Sequence, residues 1–252
     1  MRRLRGKQLR RFGILPIDGM QLYSLDVLIL YADNNIFVVR RPCEIFDRQA
    51  GVGQQDFKFA GRHFNHAQFS PTDPELFCLS QDWFYDKVSG RRFMFDHRTW
   101  LMNRSNSMFR SITPDYQPPG HEDCHEWWSQ DGMLCYQNYA AGAYEVNVYT
   151  NERVHVWQRP VCHAHCSPDR RYWTADQTPY RWAETGCPVL FFDRVTGKEQ
   201  QIISSQQPPI YPRSDYHTDP HPHFSPRGDL VICTTTVLGG LDVALTPTAP
   251  LG

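Results

Sequence analysis

An all-β fold assembled from a repeated antiparallel unit is what this sequence predicts, and three observations carry that prediction. Amphipathic helical periodicity is scarce along the chain. Short apolar runs are bounded by loops rich in turn formers, in a chain that contains 19 Pro and 16 Gly. One turn signal also recurs four times, as Phe69-Ser70-Pro71, Trp128-Ser129-Gln130-Asp131-Gly132, Cys166-Ser167-Pro168-Asp169 and Phe224-Ser225-Pro226-Arg227-Gly228.

In chain order, the first strand candidate is Leu25 to Tyr31, read as buried; it contains Asp26 and is far shorter than the ~20 residues of a membrane-spanning helix. Each repeat turn is then followed by an apolar strand: Leu76 to Leu79, Met133 to Tyr136, Tyr172 to Thr174 and Leu230 to Thr234. Between the turns lie Phe93 to Phe95, Trp100 to Met102, Tyr144 to Tyr149, Val154 to Trp157 and Val189 to Phe192. The segment from Asp193 to Lys198 reads as a tight turn closed by Gly197. The unequal steps between repeat turns bracket the roughly 40–50 residues that one four-stranded propeller blade occupies. The repeats are therefore blades of a β-propeller, with about five blades' worth of chain at that length. Residues 1–62 match the pattern poorly and are expected to form a separate segment or partial blade, with the propeller domain at 63–252.

Charge narrows the partners. Lys and Arg number 26 against 27 Asp and Glu, a net charge of -1, so no global field draws the chain to nucleic acid or an anionic membrane. The basic run Arg2, Arg3, Arg5, Lys7, Arg10 and Arg11 reads as a solvated tail, with a targeting presequence as the alternative. A signal-peptide pattern is not evident, and a cytoplasmic location is expected. The eight cysteines contain no Cys-x-x-Cys pair and are expected as free, buried thiols. Cys162 and Cys166 flank a histidine pair and leave a zinc-thiolate alternative open.

Histidine carries the functional signal. Four clusters precede the four repeat turns: His66; His121 and His125; His163 and His165; and His217, His221 and His223. Equivalent positions in successive blades converge on the propeller axis, so these imidazoles are expected to share one cavity. The last cluster, His217-Thr218-Asp219-Pro220-His221-Pro222-His223, places donors at alternate residues, which an extended backbone held by Pro projects to one side. Imidazoles with a carboxylate suit a borderline divalent ion such as Mn²⁺, Fe²⁺ or Zn²⁺.

Five elements in order resemble the oligogalacturonate lyases: Asn65-His66-Ala67-Gln68-Phe69-Ser70-Pro71, Arg98-Thr99-Trp100, His125-Glu126-Trp127-Trp128 with Asp131-Gly132, the His163 segment and the final His-Pro-His. They span about Phe64 to Thr236. The resemblance implies a seven-bladed propeller that cleaves short oligogalacturonates by β-elimination with a Mn²⁺-type ion. It makes Arg98 and His125 the catalytic pair, with His125 as the base, places His66 and Trp127 on the substrate side, and makes His163 a metal ligand. In the last blade, an ungapped match on Phe224-Ser225-Pro226 selects Asp219 and His221, whereas a match on His-Pro-His selects His221 and His223. The ungapped version is preferred because a deletion would disturb strand register. The family's Gln ligand has no counterpart, and His217 is placed to substitute for it. A second departure is Cys78-Leu79-Ser80-Gln81-Asp82-Trp83, where the family has Cys-His-Glu-Gly-Pro.

The implied chemistry uses these residue types for a physical reason. Removing the C5 proton of a uronate builds charge on the adjacent carboxylate, which a divalent ion and a forked guanidinium stabilise while a neutral imidazole accepts the proton. The partner implied is a small acidic oligosaccharide. The alternative is a propeller that binds a glycan or protein through its loops without cleaving it.

Overall fold

The computed structural model describes residues 27–32, 35–40, 60–86, 92–94, 97–104, 108–112, 123–177, 186–207 and 219–252. They contain strands and turns, and no helix. Strands β1 (Val27–Ala32) and β2 (Asn35–Arg40) pair as an antiparallel hairpin. Of the expected first segment, only this hairpin and the start of the next strand lie within the described residues.

Four antiparallel sheets follow. The first has the order β3 (Ala60–Phe69), β4 (Leu76–Asp86), β6 (Thr99–Asn103), β7 (Phe109–Ser111), with the short β5 (Arg92–Met94) also pairing with β4. The second contains β8 (Asp123–Trp128), β9 (Leu134–Asn138), β10 (Gly142–Val146) and β11 (Arg153–Trp157) in sequence order. The third runs β12 (Cys162–Cys166), β13 (Tyr172–Asp176), β14 (Val189–Asp193), β15 (Glu199–Ile203). The last is three-stranded: β16 (His223–Phe224), β17 (Leu230–Thr235), β18 (Asp242–Pro247). Their first strands lie side by side, β3 next to β8, β8 next to β12, and β12 next to β16. Up-and-down sheets arrayed about their first strands are blades of a β-propeller, and the described residues build four consecutive ones.

The repeated turn has a specific job. Its serine amide bonds back to the start of the second strand, Ser70 to Leu76 O, Ser129 to Met133 O, Ser167 to Tyr172 O and Ser225 to Leu230 O, at 2.8–2.9 Å. In three blades the hydroxyl also donates to an acid of the same turn, to Asp131, Asp169 and Asp229 at 2.6 Å. In the first blade Ser70 Oγ instead accepts the amides of Thr72 and Asp73. The turns sit on one face: Gly132 packs on Thr72, Gly228 on Pro168, Arg170 pairs with Asp131 at 2.8 Å, and Gln130 donates to Pro226 O at 2.9 Å.

Apolar surface is buried between blades rather than in one central core. Leu76, Leu101, Leu134 and Tyr136 fill the space between the first two, Trp127, Trp157, Trp173 and Leu190 that between the second and third, and Phe191, Phe224 and Val231 that between the third and fourth. All seven cysteines among the described residues are free and buried, as expected.

The strand expected over Tyr144 to Tyr149 stops at Val146. Asn147 ends it, because its side-chain oxygen accepts the amides of Tyr149 and Thr150 at 2.9 and 3.2 Å and turns the chain. The Asp193 turn forms as expected, with Gly197 at φ 71° and its amide 2.8 Å from Asp193 O.

Gly142 is the position at which the hairpin β9–β10 most depends on glycine. Its φ is 122°, and a Cβ there would lie 1.9 Å from the carbonyl oxygen of Trp157 and within 3 Å of the Arg159 backbone. Gly142→Ala is expected to destabilise the protein by ~1–3 kcal/mol, measured as a lower urea midpoint at unchanged slope; an unaltered midpoint would show that the β10–β11 edge yields freely.

Candidate functional site

Four residues before each repeat serine stands a histidine: His66, His125, His163 and His221. All four have a left-handed backbone, with φ of 39°, 47°, 43° and 42°. In the first three blades the inner strand bulges there, with register shifts between Asn65 and Ala67, Cys124 and Trp127, and Cys162 and His165. A non-glycine residue at positive φ costs ~1–3 kcal/mol and persists only where its surroundings hold it. A bulge re-aims the side chain that it carries. The bulge in three blades, and a left-handed turn just before the inner strand of the fourth, deliver the four imidazoles to one cavity of about 440 Å³, whose wall also includes Gln68, Glu126, Trp127, His165 and His223.

The cation-binding features centre on His163, a buried side chain on β12. Its Nδ1 donates to Asp176, 2.8 Å from Oδ2 and 3.0 Å from Oδ1. The bond fixes the ring and makes Nε2, 3.7 Å from Cys162 Sγ, the nitrogen that could meet a ligand. Asp176 Oδ2 also accepts the backbone amide of His221 at 3.1 Å, so one carboxylate positions a residue in each of two blades. The rings of His163 and His221 stack at 3.5 Å. Asp219, buried beside them, completes a set in which one donor atom from each of His163, Asp219 and His221 lies within 4.8 Å of the others. Two imidazoles and a carboxylate, with a second carboxylate behind one imidazole, fit a borderline divalent cation.

This grouping matches the ungapped register. His223 is exposed on the cavity rim, 5.9 Å from the His165 ring, and is not in the set. His217 lies outside the described residues. The alternation expected for this segment does not bring the donors together. His221 is left-handed and β16 begins only at His223, so a turn of the backbone, not an extended strand, delivers Asp219 and His221 to His163.

His125 faces the same cavity from β8. Its Nε2 is 3.0 Å from the Tyr139 hydroxyl and 3.9 Å from Cys162 Sγ, and its ring centroid is 4.3 Å from that of His163. Burial, then the positive charges that His163, His221, Arg98 and His66 would carry, push its pKa down to about 2. The imidazole is therefore neutral throughout the physiological range.

Arg98 is buried and does not line the cavity. Its Nε lies 3.7 Å from Glu126 Oε2, and its Nη1 donates to Gln81 O at 3.2 Å. Glu126 is fully buried, accepts a hydrogen bond from Ser80 Oγ, and lies 3.4 Å from Nδ1 of the half-exposed His66. Ser80 and Gln81, in the segment that departs from the lyase pattern, thus serve the Glu126–Arg98 pair. Trp127 belongs mainly to the core, with its indole N–H donated to Cys166 Sγ, its face stacked on His165 and its edge against Trp173. Asp176 and Tyr139 stand in no motif of the sequence, and Glu126 stands in one only as the neighbour of His125. An acid ending the apolar strand Tyr172-Trp173-Thr174-Ala175-Asp176 was the available signal for the first, and Tyr139 gave none.

No family model matches the sequence, and no curated protein matches it. Among solved structures, an oligogalacturonate lyase in complex with manganese is 21% identical with a TM-score of 0.59, the match covering 73% of this chain and 48% of that one. The oligogalacturonate lyase of Vibrio parahaemolyticus is 22% identical with a TM-score of 0.59, covering 73% and 49%. The propeller fold is shared with these lyases, and the chain spans about half of their length. Among the described residues no helix is long and apolar enough to cross a membrane.

His165 ties the site to pH. Its Nδ1 accepts the amide of Phe224 at 3.3 Å, joining the third and fourth blades, and burial followed by His223 lowers its pKa to about 4. The unfolded value is about 6.5, so the unfolded chain binds the proton first, and stability is expected to fall as pH drops from 6.5 toward 4. His125 adds to this loss in the same direction. In His165→Gln, which keeps an acceptor but does not titrate, the melting temperature should decline less steeply across this window; an identical decline would assign the acid sensitivity elsewhere.

Proposed function

We propose that the cavity is the site of a cation-dependent β-elimination on short acidic uronate oligosaccharides, an oligogalacturonate lyase activity, within the propeller at 63–252 and in the cytoplasm. The observation that carries this reading is the convergence of four histidines of left-handed backbone, one from each blade, beside the His163–Asp219–His221 set. A divalent cation of the Mn²⁺ type, held by these three side chains, supplies a Lewis-acidic partner for the uronate carboxylate.

The remaining roles fall to the chain's own groups. His125 Nε2 accepts the C5 proton. Its depressed pKa keeps it ready to do so, at the cost of driving force, since a base works best with a pKa near the working pH. An anionic substrate beside it raises that pKa and restores part of the driving force. Tyr139, 3.0 Å from Nε2, holds that nitrogen in the empty site and gives way to the substrate when it binds. Arg98 adds a permanent positive charge close enough to be felt at His125, and His66 at the rim meets an acidic sugar. Trp127 contributes wall. Hydrolysis would need two carboxylates free to act as acid and base, but among the described residues Glu126 is engaged by Ser80 and Arg98, Asp176 by His163, and Asp219 belongs to the cation set.

A second reading is favoured by the position of Arg98. Its guanidinium faces Glu126 rather than the cavity, so the site would bind an acidic sugar without cleaving it.

The full chain with Mn²⁺ and di- or trigalacturonate should yield an unsaturated product, followed in the ultraviolet. His125→Ala should lower kcat by about 10²- to 10⁴-fold while elemental analysis still finds the metal. Arg98→Lys should also slow turnover, because an ammonium cannot span Glu126 and Gln81 O as the fork does, and the charge felt at His125 would shift. The double variant His163→Ala/His221→Ala should hold no metal. Saturated products, or an unimpaired His125→Ala enzyme, would refute the assignment; bound metal and sugar with no product would establish the binding reading.

A further inference from the structure

The His163 cluster has a second face that the proposed elimination does not use. Cys162 Sγ lies 3.7 Å from His163 Nε2 and 3.9 Å from His125 Nε2. His125, Cys162 and His163 each offer a donor atom within 4.8 Å of the other two. With Zn–S near 2.3 Å and Zn–N near 2.0–2.1 Å, a tetrahedral ion separates its sulfur and nitrogen ligands by about 3.5 Å, so the three atoms already stand close to the spacing such an ion requires. Cys166 takes no part, since its sulfur faces the Trp127 indole N–H at 3.4 Å in the core. Of the two cysteines that flank the histidine pair, only Cys162 lies against both His125 and His163.

We infer that the chain holds a soft-cation site, built from His125 Nε2, Cys162 Sγ and His163 Nε2, that excludes the cation of the His163–Asp219–His221 set. The exclusion follows from His163. Its Nδ1 is committed to Asp176, so one nitrogen, Nε2, serves both sets and can bind one ion at a time. Ligand chemistry sorts the ions: thiolate with imidazole selects Zn²⁺ or Cd²⁺, and imidazole with carboxylate suits Mn²⁺. Binding at the soft site replaces the Cys162 thiol proton, which leaves to solvent, and involves no redox change. It also displaces Tyr139 from His125 Nε2, the atom that would take the substrate's proton. Soft divalent cations therefore act as inhibitors by occupying the base as well as by displacing the hard ion. The exclusion rests on the cation reading given under Proposed function; the soft site itself does not.

The test uses the full chain loaded with Mn²⁺ and titrated with Cd²⁺, reading the thiolate-to-Cd²⁺ charge-transfer band in the ultraviolet and free Mn²⁺ by electron paramagnetic resonance. The band should grow as Mn²⁺ is released in equal amount. Cys162→Ser should abolish it, with Cd²⁺ affinity falling by more than the 10- to 100-fold typical of losing an outer partner. His125→Ala should weaken it, whereas Asp219→Asn and Cys166→Ser should keep it. No band in excess Cd²⁺, a band indifferent to Cys162→Ser, or full development of the band with Mn²⁺ still bound would overturn the inference. The complete Cd²⁺ pattern in a protein that never takes up Mn²⁺ would instead overturn the cation reading and leave the soft site standing.

Discussion

In or just before the innermost strand of each blade a histidine is held at φ near +40°, four residues before a serine whose amide closes the turn to the next strand. A regular strand would alternate its side chains between the two faces of the blade and bury them against neighbouring blades. The bulge breaks that alternation for one residue, and three of the four inner strands show it as an explicit register shift. The same strain, appearing four times at equivalent positions and each time on histidine, ties the local backbone to the lining of the cavity. What holds it is the ordinary packing on either side: the serine turns stacked on one face and the apolar layers between blades.

Asp176 turns this repeated geometry into a specific cluster. It ends the second strand of the third blade, buried, and is bonded to the imidazole of His163 and the backbone of His221. A buried carboxylate is costly unless its oxygens are satisfied, and here the satisfying groups are a candidate ligand and the backbone of another. Glu126 plays the corresponding part in the first two blades, gathering Ser80, His66 and Arg98. The cavity thus has an acidic residue behind each half of its histidine wall. The half built on Asp176 carries the donors that fit a cation, and the half built on Glu126 carries permanent positive charge close to His125. On the proposed elimination, cation binding falls to the first half of this concave surface and proton transfer to the second.

The sequence by itself determined the architecture and the four histidines that line the cavity. The serine turns, the short apolar strands and the absence of helical periodicity were enough for a propeller, because turn chemistry and the period of two are local properties of the chain. The position of histidine relative to each serine was equally legible, and it placed His66, His125, His163 and His221 in one cavity. Tertiary structure decided what each residue faces. Arg98 turns to Glu126 and Trp127 into the core because blade-to-blade packing leaves those places for them. Asp219 and His221 reach His163 through a left-handed turn that an extended-strand argument could not foresee. Asp176, Tyr139 and Cys162 acquire their roles only when blades distant in sequence come together. Hydrogen bonds and ligand spacing across an interface depend on distances that no local pattern encodes.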